Sequence, residues 1–189
     1  MLRPVPYTKP HPYVIRSASG EATMVDLARR GLPFLMNVQS NAVTQHRMDL
    51  YRATLREGGY DEAAIAERVD QCWVWRNVFV AETDAEAERI GIPAFAAMQE
   101  HRAAMRRQVQ AEQGITMDHH TAPPGRTVAE HALICGSPST VAEAIAALDR
   151  IGVGGVIMSF RLGPMQFDDA VRSLELFMRH VAPQFGDGG

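Results

Sequence analysis

The feature that most constrains this chain is its alternation of short apolar stretches with amphipathic ones at helical spacing. The apolar stretches lie at residues 14–15, 34–38, 72–81 and 152–160, and a helix-like pattern follows each of them. Short apolar strands that alternate with helices favour a parallel sheet, because each helix returns the chain to the same end of the sheet. The sequence therefore predicts an α/β fold with about four parallel β/α units.

Helix boundaries follow from residues that commonly begin or end helices. Among the predicted apolar faces are Leu27 and Ala28 in the first helix, and Val171, Leu174, Met178 and Val181 in the last. The predicted helices span residues 21–30, 42–57, 61–69, a stretch to 113 broken at Gly91 and Pro93, a helix that starts at Ser137 and Pro138, and a last helix from Asp168 or Asp169.

The residue pattern of 13–23 predicts a strand, a tight turn and a helix start, with Ser17, Ser19 and Gly20 as small residues of the turn. Such a turn leaves backbone N–H groups unpaired at the positive end of a helix dipole, which suits a phosphate. Gly20 allows close approach, and Thr23 can add a hydroxyl. The alternative is that Ser19 caps a surface helix. Spacing alone favours the cap, because strand–turn–helix junctions are common.

Composition indicates one globular domain with no nucleic-acid partner. The 189 residues are 46% apolar and 22% charged, with a formal net charge of −3. That balance gives no electrostatic basis for binding nucleic acid. The local basic cluster of Arg102, Arg106 and Arg107 is interpreted as a solvated helix face, since acidic residues lie near it in the sequence.

Cysteine content and the chain ends indicate a cytoplasmic protein. Cys72 and Cys135 are the two cysteines, too few for a disulfide framework. No signal peptide or membrane-spanning run is recognisable, so no membrane partner is expected. Residues 1–12 contain four prolines and are expected to form an extended lead-in, and the tail 186–189 is expected to be loose.

Other motifs give no catalytic or metal site. Gly152, Gly154 and Gly155 lie between a helix and a strand, the reverse of a dinucleotide fingerprint, so they are expected to shape a turn. Asp118, His119 and His120 lie in the polar stretch 114–126 without a recognised ligand spacing, so we expect a loop and no metal.

Four segments together resemble the luciferase-like monooxygenases, the family of bacterial luciferase and its flavin-dependent relatives. V-I-R-S-A-S-G-E-A-T-M-V-D-L-A-R-R-G-L-P at 14–33 resembles the phosphate-binding strand and helix of that family. C-G-S-P-S-T-V-A-E-A-I at 135–145 resembles a helix start near its C-terminal end, and 160–185 resembles its closing strand, loop and helix. V-A-E-T-D-A-E-A at 80–87 matches a further junction. The order and spacing of these segments carry the resemblance.

The resemblance implies a (β/α)8 barrel that binds reduced FMN or the deazaflavin F420. Such enzymes oxidise a small-molecule substrate with O2, or transfer hydride in the F420 branch, and a flavin reductase or another source supplies the reduced flavin. By position, Ser19, Gly20 and Thr23 match the segment that holds the flavin phosphate. The resemblance therefore favours the phosphate interpretation of the turn over the cap. It assigns no catalytic residue in this chain.

The chain is short for such a barrel, which needs about 250 residues or more. The four predicted units resemble the last four, so the chain is expected to comprise the lead-in 1–12, a half-barrel over 13–185 and the tail 186–189. Half a barrel leaves sheet edges and an apolar interior uncovered. We therefore expect a homodimer, or a partner chain that supplies the first half. The alternatives are a non-catalytic flavin-binding or interaction module derived from the family, and a non-functional remnant.

Overall fold

The computed structural model of the chain describes residues 7–9, 14–114 and 127–185. Most of the predicted lead-in, the loop residues 115–126 and the tail 186–189 lie outside the described residues, so the expectations for them are not tested. None of the described helices is long and apolar enough to cross a membrane.

A parallel five-stranded sheet forms the centre of the described structure, which confirms the predicted α/β class. Each predicted strand is present, shortened or shifted by a few residues at its ends. The strands are β1 (Arg16–Ala18), β2 (Phe34–Met36), β3 (Trp73–Val80), β4 (Leu133–Gly136) and β5 (Gly155–Ser159).

Three of the described helices begin at a side-chain cap. Ser40, Asp61 and Thr83 each accept a hydrogen bond from the backbone N–H three residues on, at 3.3, 2.8 and 3.2 Å. The helices are α1 (Glu21–Arg29), α2 (Asn41–Glu57), α3 (Glu62–Asp70), α4 (Asp84–Gln113), α5 (Ala129–Ala132), α6 (Pro138–Ile151) and α7 (Phe167–Leu176), which continues as a π-helical turn (Phe177–Val181) and a 3-10 turn (Ala182–Gln184).

Strand β3 is the central strand, because it pairs with three others. Both β2 and β5 pair with Trp73 and Val74, so they lie on opposite edges of β3. Strands β4 and β5 both pair with Asn77, so β4 lies on the β2 edge, farther along β3. The four predicted strands therefore lie side by side in chain order, as β1, β2, β3 and β5.

Strand β4 was not predicted as a strand, because residues 133–136 were expected only to lead into the next helix. In the structure they pair in register with Asn77–Val80, and the Asn77 side-chain amide donates to the carbonyl of Ala132 at 2.9 Å. The four residues are too few to show an alternating pattern. Their pairing partner lies more than fifty residues earlier in the chain, so no local signal marks the strand.

The order of the strands determines on which face of the sheet each helix packs. Right-handed crossovers from β1 to β2 to β3 place α1 and α2 on one face, and the step from β3 back to β4 places α4 on the other. The connection from β4 to β5 runs in the forward direction again, so α6 packs on the same face as α1 and α2. Buried clusters agree with this: Val74 packs among residues of α1 and α2, and Val78 and Val80 among residues of α6.

On the opposite face, α4 covers only part of the sheet. Phe79 is buried in a cluster with Phe95 and Met98 of α4. Toward the start of the same strand, Trp73 is 43% exposed and Trp75 is 38% exposed. We call this uncovered part, centred on Trp73 and Trp75, the open sheet face.

Helix α4 is continuous, so the predicted break at Gly91 and Pro93 is wrong. Gly91 lies against β-strand side chains: a Cβ there would lie 2.8 Å from Cys135 Sγ and 2.9 Å from the ring of Phe79. Glycine at this position serves close packing of the helix on the sheet. Pro93 is exposed, and the helix accommodates it with the loss of one backbone donor.

The predicted inner face of the last helix is partly wrong, whereas Leu27 and Ala28 are buried as predicted. Leu174 and Met178 are 43% and 57% exposed. The helix instead turns Ser173 toward the sheet, where its hydroxyl accepts a hydrogen bond of 2.8 Å from the Val80 N–H. That polar contact to β3 orients the helix, and a pattern of apolar residues does not reveal it.

A buried arginine joins β3 to α2. Arg76 is 2% exposed and donates to the hydroxyl of Thr44 at 2.8 Å, to the side-chain carbonyl of Asn41 at 3.3 Å and to its neighbouring carbonyl at Trp75. Burial lowers the pKa of the Arg76 guanidinium to about 10. Because a buried charge is costly without acceptors, these hydrogen bonds hold α2 against the sheet.

We expect Thr44→Val to lower the free energy of unfolding by about 1–3 kcal/mol, because it removes one of the three acceptors of the buried Arg76 guanidinium. The measurement is urea unfolding. Thr54→Val is the matched control: Thr54 lies on the same helix, is 5% exposed, and donates only within the helix, to Leu50. Equal effects of the two substitutions would show that Arg76 does not depend on Thr44.

Candidate functional site

The turn between β1 and α1 presents an uncapped helix N-terminus. Gly20 is the N-cap residue, with φ −135° and ψ 163°, and no side chain of the described residues caps the first turn of α1. The N–H groups of that turn therefore have no side-chain cap and lie at the positive end of the helix dipole. Ser19 is exposed and does not cap the helix, so the cap interpretation of the sequence is wrong.

The turn is also open to an approaching group. A Cβ placed on Gly20 would meet no heavy atom within 4 Å. Thr23 is half-buried in the first turn of α1, three residues after Gly20. The three residues predicted to bind a cofactor, Ser19, Gly20 and Thr23, thus lie together at a strand-to-helix turn with free space beside it.

A cation from another helix lies at this turn, and sequence reasoning missed it. Arg47 of α2 donates to the backbone carbonyl of Ser19 at 3.2 Å, and it also contacts the side-chain carbonyl of buried Gln39. Glu21 is the acidic residue in the first turn of α1. Its Oε1 atom lies 3.3 Å from Nε2 of His46, which precedes Arg47 on α2. The arginine and the helix dipole make the turn suitable for an anion.

A cavity of about 480 Å³ lies between the sheet and the C-terminal half of α4, and we call it the α4 cavity. Strand β3 contributes Trp75 and Asn77 to its lining, Asn37 lies directly after β2, and α4 contributes His101, Arg102 and Arg106. The Ser17 hydroxyl of β1 donates to the side-chain carbonyl of Asn37 at 3.3 Å, which links the strand before the turn to the cavity wall. Arg102 and Arg106 are exposed, as expected for a solvated helix face, but that interpretation missed the cavity they line.

The cysteines lack the chemistry of a catalytic nucleophile. Burial raises the pKa of the Cys72 thiol to about 11, and its Sγ donates to the Arg68 carbonyl at 3.3 Å. Burial, with nearby Glu88 and Asp84, raises the pKa of the Cys135 thiol to about 11 as well. Both are therefore neutral thiols near pH 7.

Metal binding was not expected from the sequence. Among the described residues, no group of three or more His, Cys, Asp or Glu side chains is arranged to hold a metal ion. The stretch of Asp118, His119 and His120 lies outside the described residues.

Comparison with known protein families shows to which family the chain belongs. The family model described as luciferase-like monooxygenase matches residues 1–155. The chain belongs to the luciferase-like monooxygenases. The family resemblance predicted from the sequence is thereby confirmed, and three of its four segments, 14–33, 80–87 and 135–145, lie within the matched residues. No curated protein matches it.

Solved structures of TIM-barrel proteins share the fold. The monooxygenase RslO1 from Streptomyces bottropensis is 22% identical with a TM-score of 0.67, over 97% of this chain and 51% of its own. The oxygenating constituent of 3,6-diketocamphane monooxygenase from Pseudomonas putida, in complex with FMN, is 21% identical with a TM-score of 0.61, over 92% and 49%. The coenzyme F420-dependent tetrahydromethanopterin reductase from Methanopyrus kandleri is 18% identical with a TM-score of 0.55, over 89% and 50%. The luciferase-like chain thus spans about half the length of each.

Both cysteines of this luciferase-like chain should react slowly with a disulfide reagent at pH 8, and Cys72 more slowly than the half-buried Cys135. A raised pKa keeps the thiolate fraction small until the pH approaches about 11, and burial limits access. The rate of thiol modification between pH 7 and 10, with and without denaturant, checks this. Fast modification of either cysteine in the native protein at pH 7 would contradict the conclusion that both are neutral thiols.

Proposed function

We propose that this luciferase-like chain binds reduced FMN or F420 by its phosphate at the turn between β1 and α1, and takes part in oxidation of a small-molecule substrate. The observation that carries the proposal is the uncapped start of α1 at Gly20, open to solvent and beside the Arg47 guanidinium. A phosphate needs N–H donors and positive charge, and this turn offers both.

The residues present fit a phosphorylated cofactor. Backbone N–H groups at the start of α1 would donate to the phosphate oxygens, and the hydroxyls of Ser19 and Thr23 are near enough in sequence to add donors. Arg47 would balance part of the negative charge. A reduced flavin supplies the hydride or oxygen chemistry when it is bound, and the protein positions it. Solved structures that share the fold include one in complex with FMN and two F420-dependent enzymes, which supports a flavin-type cofactor of either kind.

We expect Gly20→Val to weaken binding of FMN and F420 by about tenfold or more, while the chain remains folded. The backbone of Gly20 is extended and a Cβ meets nothing, so the larger side chain costs the fold little but occupies the space a phosphate needs. Thr23→Val should weaken binding as well, by about fivefold or more, through loss of one hydroxyl donor. Flavin absorbance or fluorescence titration gives the affinities.

Thr54→Val is the control for loss of a hydroxyl away from the turn, and thermal unfolding of each variant controls for the fold. Unchanged flavin affinity in both turn variants would contradict the proposed phosphate site. Flavin binding without oxygen uptake, in an assay with NAD(P)H, a flavin reductase and candidate substrates, would favour the non-catalytic binding module over the enzyme.

We further propose that the chain acts with a second set of β/α units, either in a homodimer or in a partner chain. Its structural relatives are about twice as long, and Trp73 is 43% exposed on the open sheet face. In a complete barrel such inward-facing side chains form packed layers with those of the other strands. A second set of β/α units would remove the Trp73 ring from water.

The purified chain should therefore sediment as a species larger than its 20.8 kDa monomer at low micromolar concentration. Trp73→Glu should reduce that association, because it places a charge on the open sheet face. Met178→Glu, an equally drastic change at a 57% exposed residue of the opposite face, should leave it unchanged. A stable monomer for the unsubstituted chain would contradict self-association, and co-purification with a chain of complementary β/α units would then identify the partner form.

A further inference from the structure

The lining of the α4 cavity combines basic side chains with large apolar ones. We propose that it binds an organic anion, a molecule with an apolar body and a carboxylate group, as the substrate. This inference rests on the proposed function and specifies the substrate class of that same site.

Among the described residues that line the cavity, the charged side chains are the arginines Arg102 and Arg106, and none is acidic. Arg102 and Arg106 lie four residues apart on α4, hence on one face of the helix, and His101 lies beside them. No carboxylate of the described residues forms an ion pair with either arginine. Two like charges one turn apart repel each other, so a carboxylate between them would be stabilised by both.

Other lining residues suit an apolar body. Trp75 of β3 is 38% exposed and Met105 of α4 is 45% exposed, and both line the cavity together with Val38. Large exposed apolar side chains that converge on one concavity mark a binding site more than scattered ones do. A volume of about 480 Å³ lies within the range of small-molecule sites.

The position of the cavity agrees with a substrate role. Asn37 directly follows β2, on the carboxyl side of the strand, which is where parallel α/β enzymes build their sites. The same asparagine accepts the hydrogen bond from Ser17, two residues before the proposed phosphate turn. A ligand in the cavity would therefore be a neighbour of a cofactor held at Gly20.

The test compares sodium octanoate with 1-octanol, which share a chain length and differ in charge. The protein contains two tryptophans, so Trp73→Phe leaves Trp75 in the cavity as the only indole reporter. We expect octanoate to change Trp75 fluorescence saturably, with a Kd at least tenfold below that of 1-octanol. Calorimetric titration of the unsubstituted chain repeats the comparison in case Trp73→Phe perturbs the fold.

The double variant Arg102→Gln and Arg106→Gln should weaken octanoate binding at least tenfold and leave 1-octanol binding unchanged. Arg107→Gln is the matched control: Arg107 is exposed, on the same helix and adjacent to Arg106, but is not part of the cavity lining. It should change octanoate affinity less than twofold.

Equal affinities for octanoate and 1-octanol, no binding of octanoate, or an equal loss in Arg107→Gln would each overturn the proposal. Flavin titration of the same samples separates the two proposals. Normal flavin affinity with no preference for octanoate overturns only the substrate class. Absence of flavin binding overturns the proposed function, whatever octanoate does.

Discussion

The structure depends on the pairing of β3 with strands on both of its edges. Eight residues, Trp73–Val80, hold β2 and β4 on one side and β5 on the other. The approach of β5 requires a residue without a side chain: a Cβ at Gly154 would lie 1.7 Å from the Asp70 carbonyl oxygen, and the Gly154 N–H donates to the backbone carbonyl of Cys72 at 2.8 Å. Gly154, one of the three glycines predicted to shape a turn, thus brings the last strand to the central one.

Much of the fold is readable from the sequence because its signals are local. The strand–helix alternation, the caps at Asp61 and Thr83, and the buried stripe of α6 at Val141, Ile145 and Leu148 all arise from neighbouring residues. Strand β4 and the orientation of the last helix were missed because they depend on distant partners. A pairing with Asn77–Val80 and a hydroxyl bonded to the Val80 N–H have no counterpart in a hydrophobic pattern.

The candidate site likewise has one part that local sequence signals predict and another that depends on residues distant in the chain. The turn at Ser19 and Gly20 follows from a strand, small residues and a helix, and it was predicted with its residues. The contact of Arg47 with this turn joins residues 28 apart, and the α4 cavity joins strand ends to a helix more than twenty residues farther along. Helical spacing places Arg47 on a helix but does not say which loop its guanidinium reaches. The charge that makes the turn suitable for an anion therefore emerges only from the packing of α2 on the sheet.

The position of α2 in turn depends on the buried Arg76. The side chain of this arginine extends from β3 to the start of α2. There it donates to two neutral acceptors, the hydroxyl of Thr44 and the side-chain carbonyl of Asn41. Its charge costs free energy in the interior, as the lowered pKa of its guanidinium indicates. A hydrophobic residue would fill the same space at lower cost, but it would not specify one orientation of the helix. Since Arg47 lies one turn beyond Thr44 on the same helix, the register that Arg76 imposes also places the cation at Ser19.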